Sequence, residues 1–110
     1  MKYASLTRPE DFRLVYTQGK VRFGKYLAFH LLPVQDDQLK IGLSVSKKVG
    51  KAVTRNSVKR KLREIMNKYV SIIPNGYHIV IGAKAVSKTA TFLELQEDVY
   101  KLLKESGLLT

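Results

Sequence analysis

The densest chemistry in the chain lies between Lys47 and Arg63. Lys47, Lys48, Lys51, Arg55, Lys59, Arg60, Lys61 and Arg63 supply eight of the 20 Lys and Arg residues there, with no acidic residue among them. An Arg presents a planar fork of donors and a Lys a mobile point charge, and both suit phosphate oxygens; Asn56 and Asn67 add amides able to reach bases or ribose hydroxyls. Such a mixture points to RNA. Exposed cations at a helix start oppose its dipole at ~0.3–1 kcal/mol each, so their collection there implies an anionic ligand. A merely solvated helix face would carry Glu four residues ahead of Lys or Arg, and in this segment only Glu64 and Lys68 are so placed.

Other chemistries find little support. His30 and His78 are the only histidines and cysteine is absent, which removes thiolate ligands, cysteine nucleophiles and disulfides. No catalytic triad order, metal-ligand spacing or GxxxxGK[ST] loop is present, and Asp36-Asp37 reads as turn chemistry. We expect no catalytic residue, metal site or small-molecule substrate in the protein itself.

The elements that must position the basic residues follow from periodicity. Val58, Leu62, Ile65, Met66 and Tyr69 recur as one buried helical stripe, with Thr54 as the expected cap. At 100° per residue, Asn56, Lys59, Arg60, Arg63 and Asn67 occupy a separate arc about 100° wide. Upstream, Ile41, Leu43 and Val45 alternate with Gly42, Ser44 and Ser46, as in a strand with one core face. An earlier helix is expected from Thr7 as cap, with Phe12, Val15 and Tyr16 as its apolar face and Gly19 at its end. Two strands between Lys20 and Val34, a turn at Pro74-Asn75-Gly76, a strand over Tyr77–Ala83, a loop over 84–91 and a helix over Phe92–Glu105 complete the chain.

The expected fold is α+β: a four-stranded sheet and packed helices in the order αβββαβα, a sandwich. If Leu27, Phe29 and Leu31 join Ile41, Leu43 and Val45 in the core, then Tyr26, Ala28 and His30 share the other face with Gly42, Ser44 and Ser46. Small residues there leave a trough, walled by Phe12 and Tyr16, whose rings can stack unpaired bases.

The 110 residues suit one RNA-binding domain spanning 1–110, and the charge of +11 suits a polyanion. The charge is one-sided: residues 92–110 hold Glu94, Glu97, Asp98 and Glu105 against Lys101 and Lys104 alone. Without an apolar amino-terminal stretch or a run of roughly 18 apolar residues, the expectation is a cytoplasmic protein with no membrane partner.

The segment KKVGKAVTRNSVKRKLRE, Lys47 to Glu64, closely resembles the signature of the bacterial ribonuclease P protein subunit. The resemblance continues through Glu10-Asp11-Phe12, the aromatic strand, Ile41-Gly42-Leu43-Ser44-Val45-Ser46, and the later strand and helix. It implies a ribosomal-protein-like fold, a mixed sheet with a left-handed βαβ crossover. It also implies that a large RNA subunit carries the active site and its Mg²⁺, while the protein binds that RNA and the 5′ leader of precursor tRNA. By position, Lys48, Arg55, Asn56, Lys59, Arg60 and Arg63 match the motif facing the catalytic RNA; Phe12, Tyr16 and His30 match the leader-binding groove. Ser57 stands where a second Arg is common and His30 where a Tyr is common. Rival readings are another structured-RNA-binding protein such as a ribosomal one, a DNA-binding module, and an independent nuclease.

Overall fold

The computed structural model describes residues 4–109; Met1, Lys2 and Tyr3 of the amino-terminal stretch, and Thr110, lie outside it. The elements are β1 (Ala4–Ser5), α1 (Pro9–Gln18), β2 (Lys20–Phe23), β3 (Leu27–Pro33), β4 (Leu39–Ser44), α2 (Ala52–Tyr69), β5 (Tyr77–Ala83) and α3 (Phe92–Glu105), with 3-10 turns at Val70–Ile72 and Ala85–Thr89. The strands form one mixed sheet in the order β1-β4-β5-β3-β2. β1, β4 and β5 run parallel, and β3 lies antiparallel to both β5 and β2. The α+β class stands, with five strands in place of four. The additional strand is two residues long, too short for any alternation to show, and is extended by the Leu6 amide donating to the Ile41 carbonyl at 3.1 Å.

Strand alternation divides the sheet into two unequal faces. Leu27, Phe29 and Leu31 of β3, Ile41 of β4, and Ile79 and Ile81 of β5 pack against Val58, Leu62, Ile65 and Met66 of α2 and Leu95, Val99, Leu102 and Leu103 of α3. Each fully buried aliphatic side chain contributes about 1.5–3 kcal/mol, so this layer dominates folding. On the opposite face Leu6, Val15 and Val80, with Phe12 and Leu32, form a small second cluster under α1. α2 crosses between the adjacent parallel strands β4 and β5, and so carries its polar face out beside the β4 edge.

Local chemistry sets the helix ends, not always where the sequence suggests. Arg8, not Thr7, stands at the N-cap position of α1, without a side-chain capping bond, because Pro9 with its fixed φ takes the first helical position. Lys51, not Thr54, stands at the N-cap position of α2, where it makes no side-chain bond: Gly50, at φ +152°, turns the chain early enough for the helix to begin at Ala52. Thr91 caps α3 in a reciprocal box, accepting from the Glu94 amide at 3.1 Å while Glu94 accepts from the Thr91 amide at 2.9 Å. That bond, followed by one from the Tyr26 hydroxyl, holds the Glu94 carboxyl below the usual range.

The acidic last helix is used internally. Asp98, only 6% exposed, accepts backbone N–H bonds from Lys25, Tyr26 and Leu27, each at 3.0 Å. Gly24 allows this approach, since a Cβ there would stand 2.6 Å from both carboxylate oxygens. Tyr26 therefore belongs to the α3 side: it precedes β3, is buried in the main core and donates to Glu94 at 2.8 Å. The expectation that it lines the trough is corrected.

Asp98→Ala should destabilise the fold severely, because each buried amide left without an acceptor costs about 1–3 kcal/mol. Exposed Glu97→Ala should stay within roughly 0.5 kcal/mol. Urea unfolding of both variants checks this; similar small losses would show that the amides find other partners.

Candidate nucleic-acid interface

The face under α1 is ordered in rows by the strand register. One row runs Val21, His30, Val80, Gly42, and the next Phe23, Ala28, Gly82, Ser44. α1 lies along the first. A Cβ at Gly42 would come 2.6 Å from the Phe12 ring, so Gly42 is the seat of that ring and not open floor. Four residues along α1, Tyr16 meets His30 edge-on, with ring centroids 4.7 Å apart. Phe12 is thus a half-buried anchor, whereas Tyr16 remains 44% exposed. The floor beside α1 is the buried Ala28 with the half-buried Gly82 and Ser44; a Cβ at Gly82 would meet nothing nearer than the Ala28 carbonyl oxygen, at 3.9 Å, so no side chain stands over it. Ser46 lies beyond the end of β4, where its hydroxyl accepts from the Lys48 amide at 3.4 Å, so it shapes the basic turn and not the trough.

Burial holds the His30 imidazole below its ordinary value. It is therefore uncharged at neutral pH and offers ring surface and hydrogen bonding in place of a positive charge.

The basic surface begins at the same strand. Lys47 and Lys48 are exposed on the turn after β4, and Lys51 is exposed at the start of α2. No side chain caps that start, leaving first-turn amides open amid three ammonium groups. Along the helix Asn56, Arg60, Arg63 and Asn67 are exposed and Lys59 is half-buried. Arg55 is half-buried too, its Nε enclosed without a hydrogen-bond partner. Among the described residues the ion pairs within 4.0 Å are Arg8 with Glu10 and Arg8 with Asp11. None of the cations from Lys47 to Arg63 is neutralised. The expected Glu64–Lys68 pair is not made either, because the Lys68 ammonium donates to Gln96 at 2.8 Å and sits 5.2 Å from the Phe92 ring centroid.

Lys59 and Arg63, one turn apart, face a cleft whose other wall is Ser5, Leu6, Thr7, Gly42 and Leu43. Because β1 ends at Ser5, the β4 edge is uncovered beyond it, and the cleft joins the basic helix to the strand whose Gly42 seats Phe12. The sequence gives no signal for Ser5 and Thr7 in this site, which depends on a two-residue strand and a contact far along the chain.

Among the described residues no group of three His, Asp or Glu is placed to hold a metal ion, and no helix is long and apolar enough to cross a membrane.

The family model described as Ribonuclease P matches residues 1–107. The Ribonuclease P protein component of Clostridioides difficile (strain 630) is 40% identical over 104 residues, 94% of this chain and 91% of that one. The component from Thermus brockianus is 42% identical over 92 residues, 84% of this chain; its length is about twice the matched stretch, which covers 54% of it. The solved Staphylococcus aureus RNase P protein superposes with a TM-score of 0.90 at 28% identity, covering 99% of this chain and 100% of that one.

The lowered His30 value gives stability a defined pH dependence. Above the ordinary histidine value of about 6.5 neither state is protonated there. As pH falls below it the unfolded chain takes up the proton first, and stability is lost toward the lower folded value. Between about pH 7 and pH 5, urea titrations should show the wild type losing more stability than His30→Gln. Equal losses in the two proteins would show that His30 is not the responsible group.

Proposed function

The chain belongs to the ribonuclease P protein family, and on that premise we propose that it is the protein subunit of a ribonuclease P holoenzyme, binding a catalytic RNA and the 5′ leader of precursor tRNA. The observation that carries this reading is the meeting of two surfaces at β4: a helix face of unneutralised cations on one side, and a small-residue trough beside aromatic rings on the other. In this reading Lys47, Lys48, Lys51, Arg55, Asn56, Lys59, Arg60, Arg63 and Asn67 face the catalytic RNA. Tyr16, His30 and Ser44 contact the leader, with Phe12 holding α1 in place and Ser46 setting the basic turn.

The chemistry is phosphodiester hydrolysis, leaving a 5′-phosphate on mature tRNA. Among the described residues no three His, Asp or Glu side chains come together as a group that could hold Mg²⁺; in this reading the Mg²⁺ that serves the hydrolysis is held by the RNA, and the protein is an accessory subunit. Its work is electrostatic and positional. The cations neutralise crowded phosphates between the two RNAs, releasing condensed counterions, and the trough orders an unpaired strand. The whole chain serves as one RNA-binding unit in the cytoplasm, the compartment of its substrates.

Reconstitution tests the proposal. RNA-free protein should not cleave precursor tRNA, and adding a bacterial ribonuclease P RNA should give cleavage at low Mg²⁺. Metal-dependent cleavage by RNA-free protein, abolished by one side-chain substitution, would overturn the division of labour.

The basic face has its own test. Arg60→Ala and Arg63→Ala should weaken assembly with the RNA while leaving melting nearly unchanged, since both side chains are exposed. Each loss should make the log–log salt dependence of affinity shallower by roughly 0.7–0.9. Leu62→Ala is the contrast: its buried side chain is worth ~2–5 kcal/mol of stability. Wild-type affinity and salt slope in the arginine variants would make the face merely solvated.

A further inference from the structure

The row of small residues forming the trough floor does not end in a small residue. Phe23 on β2 pairs with Ala28, Ala28 with Gly82, and Gly82 with Ser44. Ala28 lies between the core residues Leu27 and Phe29, so by alternation the row faces away from the main core, and Phe23 rises from its outer end. Its ring is 66% exposed. It stands one row along from His30, and same-face residues in adjacent rows are about 6.6–6.8 Å apart along a strand.

A cation stands beside the ring. Lys84 directly follows β5 and, by the same alternation, points to this face. Its ammonium lies 5.6 Å from the Phe23 ring centroid and donates to the Gly24 carbonyl at 2.5 Å. An ammonium has three donors, so donors remain for a phosphate oxygen. A phenyl ring has no polar handle of its own, and β2, paired on one side alone, leaves it open to solvent. An exposed ring beside an ammonium, continuous with the floor that Tyr16 and His30 overlook, has the chemistry that holds an unpaired nucleotide: a π-face for the base and a cation for its phosphate.

We infer that Phe23 and Lys84 form a further nucleotide subsite of the trough, stacking the unpaired leader base next along the strand from the one at Tyr16 and His30. The inference rests on the leader-binding reading and extends the trough from α1 to the β2 edge.

Holoenzyme reconstituted with wild-type, Phe23→Ala, Phe23→Trp and Tyr16→Ala protein is titrated with precursor tRNAs bearing leaders from one to about ten nucleotides, and with mature tRNA. For long leaders Phe23→Ala should lower affinity at least about fivefold, the lower end for loss of one stacked base. Phe23→Trp should retain wild-type affinity, and mature tRNA should bind all four proteins alike. If leader length and Tyr16→Ala change affinity but Phe23→Ala does not, the subsite is overturned and the leader reading stands. If Phe23→Ala weakens mature tRNA as much as long-leader precursor, the ring serves the fold or another contact, and the subsite is again overturned. If leaders contribute nothing even in wild type, both readings fail.

Discussion

A carboxylate enclosed in the fold sets the geometry on which the rest depends. Asp98 is removed from water at a cost that only good hydrogen bonding offsets, and it meets that cost with three amides in succession. Those amides belong to the link between β2 and β3 and to the first residue of β3. Fixing the link fixes the pairing of the two strands, and a one-residue slip there would turn His30 and Phe23 from the trough toward the core. The same bonds tie the hairpin to α3, itself started by the Thr91–Glu94 box and joined to Tyr26 through Glu94. The acidic residues of a strongly basic chain are in part structural: two of the four in its last helix act inside the molecule.

Among the described residues that arrangement leaves the cations from Lys47 to Arg63 without ion-pair partners. α2 buries Val58, Leu62, Ile65 and Met66 completely or nearly so, and the hydrophobic return on that face supports a helix whose other side is electrostatically unfavourable. Lysines crowd a helix start that has no side-chain cap, against the dipole. Folding tolerates this repulsion; a phosphate backbone would relieve it. Stability and binding are accordingly carried by different faces of one helix.

The trough has a comparable economy of parts. Gly42 gives Phe12 room to press α1 onto the sheet, and the next row keeps side chains small so that the neighbouring surface stays open. One strand thereby serves three purposes: its inward residues join the core, its outward glycine seats a helix, and its uncovered edge meets Lys59 and Arg63. In the aromatic pair above it, burial disfavours the imidazolium of His30 and holds that ring below its ordinary value.

Periodicity was enough to place the buried stripe of α2 and its opposed arc of Arg60, Arg63 and Asn67, to orient Ile41 and Leu43 toward the core, and to mark the turn at Gly76, because each depends on residues a few positions apart. The motif from Lys47 to Glu64, a local string, pointed to the family. Tertiary structure decided what depends on distant partners: β1, added by two residues to the far edge; the Asp98 bonds, which span 71 to 73 positions; Tyr26 turned toward α3; and the cleft that brings Ser5 and Thr7 to Lys59 and Arg63. It also separated Phe12 from Tyr16, equal members of one apolar helix face in the sequence. Gly42 lies beneath the first and His30 beside the second, and strand order alone sets which neighbour each ring meets.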